Sequence, residues 1–466
     1  MRIRPMIAAL ALAATPLSAH AQAADKAAFR TLYQELIETN TTLSVGSCTE
    51  LAKKIAVHLK AAGIPDKDVS LIVPPNDARW GNLVAVLHGS DARAKAVLML
   101  AHLDVVEAKA SDWGRDPFKL EEKDGFFIAR GSTDDKAMAA IFVDNLMRFK
   151  QEGYHPKRSI KLALTCGEET SPTFDGAEYL ALHHHALIDA GIALNEGGSG
   201  RSVDGKYQFN GVEAGEKTYQ DYKLETVNSG GHSSRPVKDN AIYQLANALV
   251  KLQAYDFPIE LNAATRTYFD RMSKIETGQL AADMKEILKP KPDPEALKRI
   301  IADPGRNGIM RTTCVATLIE GGHAKNALPQ HTSANVNCRI LPGHSQEEVR
   351  KQLETIVADP GVKISFQDPP EKIGPPPPLT PAVMGPIEKL TAEMFPGVPV
   401  VPIMAAGATD GRFLTPTGIP TYGVSGIFAD PEKTNAHGLN ETVPVKGLYE
   451  GREFLYRLVK MYADAK

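Results

Sequence analysis

Ala96-Val97-Leu98-Met99-Leu100-Ala101-His102-Leu103-Asp104 is an unbroken apolar run that closes on a histidine and an aspartate. Its length and its lack of alternation predict a strand buried on both faces, as in a parallel sheet covered by helices. Ligands of open α/β sheets gather where such strands end. Two further runs close in the same way. Ile160 to Thr165 leads into Cys166-Gly167-Glu168-Glu169, and Gly191 to Leu194 leads into Asn195-Glu196-Gly197-Gly198. Asn82 to Leu87 is a fourth candidate strand, and helical periodicity marks Ala27 to Glu38, Glu50 to Ala62 and Ala137 to Lys150. Residues 24–212 are therefore expected to form an α/β layer around a mostly parallel central sheet.

The character changes after about Glu213. Strands over Thr218 to Val227 and Thr312 to Leu318, with a helix over Ala241 to Leu252, predict a smaller α+β domain across residues 213–340. Inside it, the stretch from Lys251 to Asn307 reads as a surface elaboration, with prolines between Lys289 and Pro294 and a short helix over Glu295 to Ala302. The α/β pattern resumes over residues 341–466, where Pro375 to Pro378 reads as a stiff connector.

With 53 basic and 56 acidic residues in 466, the formal charge is −3, which excludes a chain built around a polyanion such as nucleic acid. At the N-terminus, Arg2 and Arg4 precede an apolar run from Met6 to Leu12, and Ala19 and Ala21 flank His20. That pattern predicts a secretory signal peptide over residues 1–21, with Ala23 the alternative cleavage point, and hence a periplasmic or secreted protein. The run is too short to span a bilayer, and no other stretch reaches the roughly 20 apolar residues a spanning helix needs. The 4 cysteines are too few for a disulfide scaffold. In an exported chain Cys314 and Cys338 either pair or stay as free buried thiols.

Several polar clusters carry the chemistry. In extended chain residues two apart share a direction, so Asp104 can orient the imidazole of His102. Gly131-Ser132-Thr133-Asp134-Asp135-Lys136 enters a helix, and Asn435-Ala436-His437-Gly438-Leu439-Asn440-Glu441 lies near the end. Glu168 and Glu169 are adjacent carboxylates that repel each other unless one is metal-bound or protonated. Consecutive His183, His184 and His185 fan out around a helix and cannot converge on one ion. Cys166 reads as a small buried residue beneath the site.

Together these motifs, in this order, resemble the dinuclear zinc exopeptidase and amidohydrolase family that includes glutamate carboxypeptidase, aminoacylase, carnosinase and succinyl-diaminopimelate desuccinylase. The resemblance implies a catalytic α/β domain interrupted by a smaller lid domain that commonly dimerises, hence a homodimer. It implies two Zn²⁺ per chain, one held by His102 and Glu196, the other by Glu169 and His437, with Asp134 bridging. Asp104 would support His102, and Glu168 would be the general base toward a metal-activated water. In some relatives the Glu196 position is Asp, and Glu is the variant of aminoacylase-like members. Carboxylates and neutral imidazoles suit zinc, and Mn²⁺ or Co²⁺ can substitute.

The resemblance extends into the smaller domain. Ser229 to Pro236 matches the segment whose histidine, here His232, steadies the oxyanion across the dimer. Asn326 and Arg339 match positions at the substrate's polar end, where a guanidinium fork suits a carboxylate. Gly407, in the segment Gly407 to Arg412, matches a further substrate-facing loop. The expected activity is cleavage of an amide bond next to a free carboxylate, in a peptide or dipeptide. An N-acyl-amino-acid deacylase is the alternative, and a non-catalytic binding domain is the rival from another class.

Overall fold

The computed structural model describes residues 16–75, 77–170 and 174–465. Most of the expected signal peptide, residues 1–15, lies outside the described residues. The first helix, Pro16–Ile37, runs through both expected cleavage points.

A 10-stranded mixed sheet forms the centre. Strand Val97–His102, buried at every position, lies between Ile160–Thr165 and Ile192–Asn195, and all three run parallel. The register sets His102 beside Thr165 and Met99 beside Leu194, so three strand ends line up along one edge. That alignment positions the site. Ile192–Asn195 continues in parallel to Thr421–Gly423, beyond which Lys206–Glu216 pairs with Val400–Ala405. On the other side, Asn82–Leu87 and Val69–Ile72 add antiparallel edge strands.

Helices cover the sheet because their apolar stripes require it. In Cys48–Ala61 the side chain of Ser47 accepts from the Glu50 N–H at 3.2 Å, and Leu51, Ile55 and Leu59 are buried. The cap satisfies an otherwise unpartnered donor, and each buried side chain contributes about 1.5–3 kcal/mol by transfer from water. Lys136–Gln151 is buried along most of its length, since it packs beneath the sheet and against the C-terminal helix Val445–Ala463. No helix among the described residues is long and apolar enough to cross a membrane.

A second sheet is antiparallel, in the order Thr313–Gly321, His331–Ile340, Thr218–Val227, Val362–Phe366. Helices Ala241–Gln253 and Gln346–Val357 pack on one face of it through Leu245, Val349 and Leu353. Sheet membership departs from the expected boundaries at two points. Residue 213 falls inside a central-sheet strand, and after position 340 the strand Val362–Phe366 joins the second sheet, with helix Gln346–Val357 packed on it. The 251–307 stretch supplies helices whose Phe269, Met284 and Ile300 bury against Phe209 and Val401 of the central sheet. It is a packed layer, not a surface elaboration. The apolar positions of these helices are spaced among charged residues, which hides the shared face until the sheet partner is known.

Cys314 and Cys338 form a disulfide between neighbouring strands. Cys48 and Cys166 form a second, which the sequence reading missed by treating Cys166 only as a small buried residue. It ties the first residue of a helix to the turn that carries Glu168. Closing a loop of 118 residues removes denatured-chain entropy worth about 5 kcal/mol at 25 °C.

Candidate metal centre

His102 is buried at the end of its strand, and its two ring nitrogens face different partners. Nδ1 lies 3.0 Å from the backbone carbonyl of Asp104 and 3.7 Å from that residue's Oδ1. Nε2 lies 3.0 Å from Asp134 Oδ1 and 3.7 Å from Glu196 Oε1. Asp104 therefore holds the imidazole chiefly through its main chain. Its carboxylate instead accepts the N–H groups of Gly167 at 2.7 Å and Glu169 at 3.0 Å. Those bonds brace the turn into the short 3₁₀ helix Glu168–Thr170. Gly167 is required there: its φ is 110°, and a Cβ would lie 2.3 Å from the Phe174 carbonyl oxygen.

Asp134 occupies the middle of the cluster. Its Oδ1 faces His102, and its Oδ2 lies 3.1 Å from His437 Nε2. The peptide joining it to Asp135 is cis. His437 Nε2 also lies 2.9 Å from Glu169 Oε1. Ligand atoms of His102, Asp134 and Glu169 fall within 4.8 Å of one another, as do those of His102, Glu168 and Glu196. Distance alone thus places Glu168 among the donors.

The electrostatics fit a cationic occupant. Burial pushes the Glu168 carboxyl up to about 7 and raises Glu196 well above the usual carboxylate range. Burial opposes protonation of His102, but the neighbouring Glu196 and Asp134 carboxylates outweigh it and raise the imidazole. Hydrogen bonds to Asp134 and Glu169 raise His437 to about 10. The cluster therefore draws positive charge onto both imidazoles.

The structure brings together His102, Asp104, Asp134, Glu168, Glu169, Glu196 and His437. It does not bring His232 and Asn326 to that cluster within one chain. His232 is exposed on a two-residue strand paired with Ala327, and its Nδ1 accepts from Ser234 N at 3.1 Å and faces Ser234 Oγ at 2.7 Å. Exposed Asn326 accepts from Ser233 N at 3.0 Å. Arg339 lies on the second sheet with its guanidinium 4.6 Å above the Tyr219 ring. Tyr219 lines a cleft that runs from Glu196 between the two sheets, and Ala408 and Thr409, just past the exposed Gly407, line it too. Pro375 to Pro377 form part of its wall, so this segment is more than a connector.

Three contributors had no role of their own in the sequence, although Arg412 and Glu441 end two of the segments singled out there. Glu216, half-buried in the cleft, accepts from Thr409 N at 2.7 Å. Arg412 lies 3.5 Å from Asp175. Glu441 accepts from several N–H groups around Asp134. Glu441 was visible only as the last residue of the His437 motif, and one sequence carries no signal for a contact across 311 positions.

Imidazoles and carboxylates converging at the carboxyl edge of an α/β sheet define a candidate metal centre. A model of peptidase family M20/M25/M40 matches residues 98–461, and the chain belongs to that family. It is 29% identical over 391 residues to the Homo sapiens N-fatty-acyl-amino acid synthase/hydrolase PM20D1, covering 80% of this chain and 75% of that one. It is 28% identical over 280 residues to carboxypeptidase S of Saccharomyces cerevisiae, covering 57% and 49% respectively. The M20 family metallo-carboxypeptidase Sso-CP2 from Sulfolobus solfataricus shares the fold with a TM-score of 0.69 at 18% identity, over 93% of this chain and 99% of that one. The protein is a hydrolytic metalloenzyme of the peptidase and amidohydrolase type.

Proposed function

We propose that this enzyme is an exported dinuclear hydrolase that cleaves an amide bond beside a free carboxylate. One observation carries the reading: the two oxygens of Asp134 face His102 and His437 at 3.0 and 3.1 Å, which is a bridging arrangement. His102 and Glu196 would hold one divalent cation and Glu169 and His437 the other, with Zn²⁺ the best match to the donor set. When bound, the pair supplies Lewis-acid charge and makes water nucleophilic near neutral pH. Glu168 takes the proton from the attacking water and delivers it to the leaving nitrogen. Its raised pKa suits transfer in both directions, and cationic charge beside it draws that value down. Arg339 receives the substrate carboxylate, the Gly407 loop borders the cleft lined by its neighbour Tyr219, and Asn326, on the same ribbon as His232, would reach that ground from a neighbouring copy.

Deacylation of an N-acyl amino acid is the second reading, favoured by the likeness to the human synthase/hydrolase and by the longer Glu196 side chain. Export is supported by the basic and apolar N-terminus and by two disulfides, which persist in oxidising compartments. A homodimer through the second sheet is supported by its edge strand Thr313–Gly321, where Val315, Leu318 and Ile319 are 61%, 68% and 66% exposed. Exposed apolar edges of that kind are ordinarily covered.

The test is to incubate the metal-loaded enzyme with a mixed library of dipeptides and N-acyl amino acids and to identify released products by mass spectrometry. Amino acids with a free α-carboxylate are expected. Their C-terminal amides should react about tenfold more slowly or worse, since a charge-assisted hydrogen bond is lost. Equal cleavage of the amides would refute the assignment, and the faster substrate class separates the two readings.

A further inference from the structure

The segments carrying Asp134 and His437 are far apart in sequence, and one buried ion pair joins them. Glu441 is fully buried, and its carboxylate accepts four donors. Oε2 takes Arg130 Nη1 at 2.7 Å and Gly131 N at 3.0 Å, while Oε1 takes Thr133 N at 2.8 Å and Asp134 N at 3.1 Å. Its own carbonyl accepts Ala129 N at 3.1 Å and Ser132 Oγ at 3.0 Å. Donors from Ala129 to Asp134 therefore converge on one residue, beside the separate anchors that Tyr33 and Pro117 give Ser132 and Arg130. Arg130, equally buried, reaches the other way: its Nη2 donates to the carbonyls of His437 and Gly438, each at 3.1 Å. The receiving loop needs holding, because Asn435, His437 and Asn440 adopt left-handed φ values of 47°, 62° and 53°. A buried carboxylate is costly unless its acceptor sites are filled, and here each filled site fixes one loop atom.

We propose that Arg130 and Glu441 are positioning residues that set Asp134 against His437, and so tune one of the two cation sites in preference to the other. The inference rests on the metal-ligand reading above. It follows from an asymmetry in support. His102 and Glu196 sit at the ends of adjacent strands held by the central sheet; Asp134 faces both imidazoles, but His437 stands on a left-handed loop whose carbonyls are held by Arg130 and, through it, by Glu441. Neither residue faces the space between the ligands, so neither is a catalytic residue.

The test measures Zn²⁺ binding to chelator-stripped protein by competition with a fluorescent chelator, fitted to two sites, without an activity readout. Glu441→Gln keeps the shape but turns an NH₂ toward N–H donors. It should weaken one site about 10- to 100-fold, the usual effect of losing an outer partner, and leave the other within about threefold. The weakened site should be the one lost in His437→Ala. Arg130→Lys keeps the charge but loses the fork, and it should weaken the same site if the Gln variant does not fold. A merely structural role would lower thermal stability and weaken both sites alike. Equal weakening of both sites, or of neither, overturns the inference. A wild-type chain that binds fewer than two ions overturns the metal-ligand reading itself, and with it this inference.

Discussion

Glu168→Gln is expected to keep both cations and to lose about 10²- to 10⁴-fold in kcat, the span typical of a positioned acid-base group. The side chain changes neither length nor shape, but a carboxamide cannot carry a proton from water to a leaving amine. Retention of the metals follows from how the turn is built. Asp104 holds the backbone of Gly167 and Glu169 at 2.7 and 3.0 Å, so Glu169 keeps its place whatever stands at 168. Metal content by mass spectrometry and turnover under saturating substrate check the two halves. A variant that lost a cation yet kept its rate would show that Glu168 and Glu169 have exchanged roles, as their shared proximity to His102 permits.

His232→Ala should depress kcat by about 10²- to 10³-fold with little change in KM, because an oxyanion donor acts only as charge develops. Within one chain this histidine is exposed and bonded to Ser234, on the ribbon it forms with Ala327. The proposed role therefore assigns its donor to the site of a neighbouring copy. Mixing inactive His232→Ala with inactive Glu168→Gln under conditions of chain exchange should restore activity, since some mixed dimers contain one complete site. Demonstrably mixed dimers without activity, or a fully active monomer, would refute action across the interface.

Much of the site was legible because it sits at strand ends. Val97–His102, Ile160–Thr165 and Ile192–Asn195 are apolar throughout or nearly so, and such runs announce buried parallel strands without help from distant partners. Lys206–Glu216 was not legible: it buries Asn210 and Glu213, and its polar residues break the pattern. Asn210 is tolerable inside because its Nδ2 donates to Thr391 Oγ1 at 2.9 Å, a partner 181 positions away. The Cys48–Cys166 bridge and the Glu441 hub were hidden for the same reason. Their meaning lies in long-range pairing, which residue type and local spacing do not encode. Position 340 misled because the second sheet recruits Val362–Phe366 after an intervening helix, and a short strand after a helix is the pattern of either layer.

The most direct test of the dinuclear reading is anomalous diffraction at the zinc edge from crystals of the zinc-loaded enzyme. Two peaks are expected about 3.5–4 Å apart, the spacing of paired catalytic metals. Both should touch the Asp134 carboxylate, one with His102 and Glu196 and the other with Glu169 and His437, with Glu168 bound to neither. A single peak, or a pair that leaves Asp134 uncoordinated, would contradict the account.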